Sequence, residues 1–251
     1  MSAGALRVAV VGAGGRLGAF ALELLRGAPG FELVGAYDSR DDWPRAIRSS
    51  GAQVALEATR AGLGCEHGLA LLAAGVRPVI ATSGVSPEEG ERLDREARRL
   101  RLGGLIVPNF SLGSLLLQRF AAEAARHFPD AEIVELHHER KHDAPSGTAL
   151  ETARRMAAER DASRAQRERP DEPRERGGRR DGIAVHSVRL PGLYAHQVVL
   201  LGAPGETLEL RHDMSGPAAF GPGIRAALAH AATAEGVARG LEHALRSAGQ
   251  P

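Results

Sequence analysis

The chain has 251 residues, room for one large domain or two modest ones, and its 32 Lys and Arg against 31 Asp and Glu leave a net charge of +1. So even a balance supplies no basic field for nucleic acid, and no apolar run is as long as a membrane span. Its one cysteine, Cys65, forbids an intrachain disulfide, and with no signal-peptide pattern over residues 1–7 the chain is expected in a reducing cytoplasm.

Residues 6–11 form a short apolar, β-branched run that passes directly into Gly12-Ala13-Gly14-Gly15-Arg16-Leu17-Gly18 and a helical stretch over 19–26. Strand, glycine turn and helix open a dinucleotide-binding unit, in which a helix N-terminus faces the pyrophosphate. The glycines fall at 12, 15 and 18, with Leu17 where G-x-G-x-x-G would set its third glycine, and tight turns use glycine for other reasons too. The continuation is more specific. Residues 31–37 read as a second strand closed by Asp38, about twenty residues past the glycines, where an acid accepts from the ribose hydroxyls; the competing reading is a turn residue before Ser39 and Arg40.

Strands at 53–57, 76–81 and 104–107 then alternate with helices at 66–74 and 87–100, which predicts a parallel sheet with right-handed crossovers. Ligands of such sheets bind beyond the carboxyl ends of the strands, where Ala81-Thr82-Ser83-Gly84 and Val107-Pro108-Asn109-Phe110-Ser111 lie. A helix over 112–127 leads to a strand at 131–137. Residues 160–181 are almost all charged, Pro or Gly, and read as a mobile loop; their interleaved acids and missing aromatics argue against a nucleic-acid patch. Strands at 183–190, 194–201 and 207–213 join 131–137 in a second, mostly antiparallel sheet, and 221–246 reads as one long alanine-rich helical stretch. The fold class is therefore α/β: a Rossmann-like parallel-sheet domain, residues 1–110 with 218–251, plus a smaller α+β domain over 111–217.

The densest chemistry lies in Glu135-Leu136-His137-His138-Glu139-Arg140-Lys141-His142-Asp143-Ala144-Pro145, followed by Ser146-Gly147-Thr148 at the start of a helix over 149–160. The first N–H groups of a helix lack internal partners and with the macrodipole attract an anion. Gly147 lets the backbone approach closely, and the Ser146 and Thr148 hydroxyls add donors beside His137, His138 and Lys141. A metal-dependent hydrolase using His137, His138, His142 and Asp143 is disfavoured, because adjacent histidines on a strand point to opposite faces and no H-E-x-x-H spacing occurs. No metal is expected. A serine triad of Ser146, His138 and Asp143 lacks the G-x-S-x-G elbow.

The run from Glu135 to Ala149 resembles the signature of the 4-hydroxy-tetrahydrodipicolinate reductase (dihydrodipicolinate reductase) family, E-x-H-H-x-x-K-x-D-A-P-S-G-T-A, at every fixed position. Val8 to Gly18 is similar to the family's V-A-V-x-G-A-G-G-R-M-G, with Leu17 for methionine, and the segments at 81–84 and 107–111 resemble its G-T-T-G and A-P-N-F-S. Ser187-Val188-Arg189, His196 and Gly205-Glu206 with His212 match further family positions in part. Two departures stand out. Glu57-Ala58-Thr59 replaces D-F-T, and Pro217 stands where the family has the arginine of R-x-x-F, a loss that Arg211 or Arg225 would have to make good.

The resemblance implies reduction of 4-hydroxy-tetrahydrodipicolinate, a dicarboxylate, to tetrahydrodipicolinate with a nicotinamide cofactor, on the route to diaminopimelate and lysine. It implies His137 as proton donor or acceptor, Lys141 as proton donor, His138 as a substrate contact and Gly147 with Thr148 as holder of a carboxylate. Gly12, Ala13, Gly14, Gly15, Arg16, Leu17, Asp38, Ala81, Thr82, Ser83, Val107, Pro108, Asn109 and Phe110 would hold NADH or NADPH, with the smaller domain binding substrate and building a homotetramer. NADH is expected to serve at least as well as NADPH, since Asp38 repels a 2′-phosphate and its arginine comes one residue late, at Arg40. The alternative is a non-catalytic nucleotide-binding sensor derived from the family.

Overall fold

The structure, a computed structural model, describes residues 4–160 and 176–247. The chain divides into two compact units, Met1–Ser111 with Phe220–Pro251, and Leu112–Ala219.

In the first unit, β1 (Leu6–Val11), β2 (Phe31–Tyr37), β3 (Val54–Glu57), β4 (Arg77–Ile80), β5 (Gly103–Ile106) and β11 (Gly236–Arg239) form one sheet in the order β11-β5-β4-β3-β1-β2, every pair parallel. Strands covered on both faces carry unbroken apolar runs, and Val8 to Val11, Val54 to Leu56 and Leu105 with Ile106 are essentially sealed. The covering helices are α1 (Arg16–Leu25), α3 (Gly64–Ala73), α4 (Pro87–Arg99) and α7 (Gly221–Thr233); the short α2 (Trp43–Ala46) and α8 (Glu242–Ser247) complete the set. Helix α4 begins on a full capping box, the Ser86 hydroxyl accepting from Glu89 N while the Glu89 carboxylate accepts from Ser86 N. The chain leaves β1 for β2 on one side and returns to β3 on the other, so the switch point lies between β1 and β3, at the glycine turn.

In the second unit, β6 (Asp130–His137), β7 (Gly178–Arg180), β8 (Ile183–Arg189), β9 (Ala195–Ala203) and β10 (Glu206–Met214) are ordered β10-β9-β6-β8-β7. Only β6 and β8 run parallel. Helices α5 (Leu112–Ala125) and α6 (Gly147–Glu159) cover one face, where Leu117, Ala121, Ile133, Ala153, Met156, Val185 and Val199 close the core. Because side chains alternate along a strand, Glu135 and His137 share that face with Ile133, while Val134 and Leu136 face the other way.

The expected elements are found with shifted ends, and two readings need correction. The stretch 221–246 is two helices separated by β11: Gly236, its first residue, with φ of 77°, and Gly240, just past its end, with φ of 110°, permit the turns into and out of the strand. Part of the charged segment 160–181 is ordered, Gly178–Arg180 pairing with β8; residues 161–175 lie outside the described residues.

Met156 is fully buried in the second core. Met156→Ala is expected to cost about 2–5 kcal/mol of unfolding free energy, read as a lower urea midpoint by circular dichroism; an unchanged midpoint would show that this cluster does not hold the unit together.

Candidate active site

At two of its positions the glycine turn packs too tightly for any side chain. A Cβ on Gly12, whose φ is 93°, would lie 2.5 Å from the Ala58 carbonyl oxygen, and one on Gly18 would lie 2.0 Å from the Gly12 carbonyl oxygen. Gly14, Gly15 and Arg16 are exposed, and no side chain caps the start of α1. That leaves a bare helix N-terminus at the switch point, a fit for the pyrophosphate of a dinucleotide. Asp38 ends beside this turn, its Oδ2 3.8 Å from where a Gly14 Cβ would sit. Arg40 folds back on it, Nη2 3.0 Å from Asp38 Oδ2 with its backbone N–H donating to Oδ1 at 2.8 Å, and these bonds hold the carboxyl below its ordinary range.

At the neighbouring strand ends, Glu57 is fully buried and accepts from Thr82 Oγ1 at 2.7 Å, from the Thr59 hydroxyl and from Thr59 N at 3.2 Å, with His67 Nδ1 3.1 Å away. Burial pushes this carboxyl up, and the bonds from His67, Thr59 and Thr82 outweigh it, so the acid titrates below its usual range. Thr82 is thus already a donor to Glu57 and offers only lone pairs elsewhere. Ser83 and Pro108 are exposed and Ala81 half-buried, whereas Val107 and the Phe110 ring belong to the core; Asn109 Oδ1 accepts from Ser111 N at 2.9 Å. Sequence reasoning missed Glu57 and His67, though a carboxylate ending an otherwise apolar strand was a visible signal.

In the second unit the motif folds into one connected charge network. Glu135, fully buried, meets His137 Nδ1 at 2.5 Å through Oε2 and accepts from Arg189 at 2.8 and 3.0 Å and from Ser146 N at 3.3 Å. Burial raises the Glu135 carboxyl, but hydrogen bonds from His137, Arg189 and Ser187 lower it further, to about 2. Arg189 also donates to the carbonyls of Lys141 at 3.2 Å and Asp143 at 2.6 Å, while Lys141 Nζ sits 2.7 Å from both Asp143 carboxylate oxygens. His138 Nδ1 is buried without a protein partner among the described residues, a condition that costs about 1–3 kcal/mol unless a ligand or water answers it.

Ser146 is buried as the N-cap of α6, its hydroxyl accepting from Ala149 N at 3.2 Å, so that group already serves the helix. Gly147, exposed with open space where a Cβ would stand, and half-buried Thr148 follow it at the helix start. His196 is a sheet residue, with Asp213 Oδ1 2.8 Å from Nδ1 and Tyr194 N donating to Nε2 at 3.1 Å. Among the described residues no group of three or more His, Cys, Asp or Glu could hold a metal ion.

Comparison with known proteins fits both halves of this geometry. Family models described as the dihydrodipicolinate reductase N-terminus and C-terminus match residues 6–110 and 113–245. The 4-hydroxy-tetrahydrodipicolinate reductase of Lactococcus lactis subsp. cremoris (strain MG1363) is 40% identical over 96% of this chain and 97% of its own, and that of Coxiella burnetii (strain Dugway 5J108-111) is 37% identical over 96% and 100%.

The chain belongs to the dihydrodipicolinate reductase family.

A dipicolinate-bound dihydrodipicolinate reductase from Paenisporosarcina sp. TG-14 superposes with a TM-score of 0.84 at 33% identity, covering 95% of this chain and 98% of that one. Against the family pattern, the arginine missing at Pro217 is not made good by Arg211. That side chain pairs with Asp213 at 2.7 Å and stands in register with Val198 and Val134, on the sheet face opposite Glu135 and His137. The arginine at the motif is Arg189, directly across from His137 in the parallel β6–β8 pair.

Gly12→Ala is expected to weaken nicotinamide-nucleotide binding roughly 10-fold or more, since a positive φ alone costs an L-residue about 1–2 kcal/mol before the collision with Ala58 is counted. Titration by reduced-nicotinamide fluorescence checks this, and wild-type affinity in the variant would remove the glycine turn from the cofactor site.

Proposed function

We propose that the chain carries out its family's reaction through the charge cluster at the end of β6, with His137 and Lys141 as the proton-transfer groups and the start of α6 as an anchor for a substrate carboxylate. Family membership makes the chain an NAD(P)H-dependent oxidoreductase, a 4-hydroxy-tetrahydrodipicolinate reductase of the diaminopimelate and lysine route. The observation that supports the assignment of roles is the network at the end of β6, where buried Glu135 meets His137, Arg189 and the Ser146 N–H that opens α6, while Arg189 holds the carbonyls of Lys141 and Asp143.

The net change removes one water from the substrate ring and adds a hydride and a proton. Reduced nicotinamide supplies the hydride when bound. The remaining work falls to side chains. His137, two residues along the strand from Glu135, exchanges a proton at the ring, and Lys141 Nζ, only partly exposed, donates one while its charge offsets negative charge that develops there. A dicarboxylate needs cationic or helix-terminal partners at both ends. The Gly147 end of α6 answers one carboxylate, and His138 with Lys141 answers the other. The dipicolinate held by the Paenisporosarcina relative has that same doubly anionic form and supports the reading.

The first unit takes the dinucleotide in this reading, and the second binds substrate and makes the subunit contacts. The β-sheet face opposite α5 and α6 presents Val134, Leu136, Val198 and Leu200, the last 41% exposed, which favours a homotetramer built on that face. No helix among the described residues is long and apolar enough to cross a membrane, and a biosynthetic reductase with a free, buried Cys65 fits the cytoplasm.

His137→Ala and Lys141→Ala are each expected to lower kcat about 10²- to 10⁴-fold with little change in cofactor affinity, measured by nicotinamide oxidation with synthase-generated substrate. Near wild-type turnover in both would remove the assigned roles. For the cofactor, kcat/KM with NADH should equal or exceed that with NADPH at low ionic strength, because Asp38 repels a 2′-phosphate and Arg40 is engaged with Asp38. An NADPH preference of about tenfold, some 1.4 kcal/mol, would show that Arg40 or Arg16 dominates. Light scattering on a sizing column should give about four times the 26.4 kDa chain mass, and Leu200→Glu should reduce it; a tetramer undisturbed by that charge places the interface elsewhere.

A further inference from the structure

The reading of His137 as a proton-transfer group leaves open which ring nitrogen does the work and what sets its basicity. We propose that Glu135, locked by Arg189, is the positioning residue for His137: it keeps the neutral imidazole in the tautomer with its proton on Nδ1, so that Nε2 alone exchanges a proton with the substrate. The inference rests on His137 having that role.

An ionised carboxylate has no proton to give, so it only accepts. Glu135 Oε2 lies 2.5 Å from His137 Nδ1, so the proton in that bond belongs to the imidazole. The remaining capacity of the carboxylate is filled by the two Arg189 nitrogens and by Ser146 N, and the side chain is sealed from water. The hydrogen bonds from His137 and the Arg189 fork keep this buried acid ionised, well below the ordinary carboxylate range. The charged and titratable groups around it are His137 on the same strand, Arg189 on β8 and the Lys141–Asp143 pair on the loop; Gln197 on β9, Ser187 on β8 and the Ser146 N-cap add polar but neutral neighbours.

When Nε2 takes up a proton, the imidazolium forms against a fixed negative charge. Arg189 also holds the carbonyls of Lys141 and Asp143, so the guanidinium that fixes the histidine fixes the loop bearing the lysine.

The test begins with wild-type protein labelled with ¹⁵N-histidine. Long-range ¹H–¹⁵N correlation spectra, with His137 assigned from a His137→Gln variant, should show a pyrrole-like Nδ1 and a pyridine-like Nε2 in the neutral ring. The opposite tautomer would overturn the proposal, and this measurement needs no substitution at Glu135. In Glu135→Gln, kcat should fall about 10²-fold or more, because the histidine loses the carboxylate that fixes its working tautomer. KM for the nicotinamide should be unchanged, and the tautomer with its proton on Nε2 should become populated in the neutral His137 ring, because the amide can turn its NH₂ toward Nδ1. If His137→Ala cripples turnover while Glu135→Gln shifts neither kcat nor tautomer, the positioning role fails alone. If His137→Ala leaves turnover intact, it is the catalytic reading that fails.

Discussion

A carboxylate sealed from water is tolerable only when every lone pair is answered, and meeting that demand at Glu135 organises the second unit. The acid sits among Ile133, Val185 and Val199 on the face covered by α5 and α6, where an unpaired charge would cost several kcal/mol. Four of the bonds that satisfy it come from three places: one from the next same-face residue of its own strand, two from a fork on β8, and one from the backbone N–H that opens α6. Strand, neighbouring strand and helix start are tied to one point. The histidine proposed for proton transfer is a by-product of the same satisfaction, since it is one of the donors. Stability and chemistry therefore share their partners here, which is why truncating any one of them leaves a buried charge exposed to the apolar core.

The first unit meets its constraint by a different route. A parallel sheet buried on both faces can offer a ligand little but the ends of its strands, and the offer at the switch point between β1 and β3 is made of backbone. Gly12 and Gly18 exist so that β1, the turn and α1 can approach one another closer than any Cβ permits. Loss of the family's aromatic at Ala58 is compatible with this: the contact that matters there is the Ala58 carbonyl against Gly12, and a main-chain atom is the same in every residue.

What the sequence made legible follows the range of the interactions involved. The core of β1 was readable because both-sided burial writes an unbroken apolar run from Val8 to Val11, and β2 because its mostly apolar run stops at Asp38. The early start of α1 at Arg16 was hidden, since Gly15 caps it with no side chain to signal the fact. β11 was hidden because four extended residues between alanine-rich helices have too short a period to stand out, although Gly236 and Gly240 marked its ends. The central motif was legible as a block, and the i, i+2 spacing of Glu135 and His137 already set them on one strand face. Arg189 was not, for its fork crosses 54 residues of sequence to reach Glu135 and no local pattern carries that pairing.

Register decides which arginine serves the site. Arg189 and Arg211 are both on strands of the second sheet, and composition alone ranks them equally. Yet side chains alternate with a period of two, so an odd or even offset against β6 puts a residue beside Glu135 or behind it. Arg189 pairs with His137 and lands beside the acid; Arg211 falls in the row of Val198 and Val134 and lands behind. What holds that offset is the apolar face itself: Ile133 against Val185 on one side and Val199 on the other would all turn outward if β6 slipped by one residue. The cost of exposing those side chains, about 1.5–3 kcal/mol each, is a penalty the sheet does not bear. The charge network is thereby chosen by the packing of residues that carry no charge themselves.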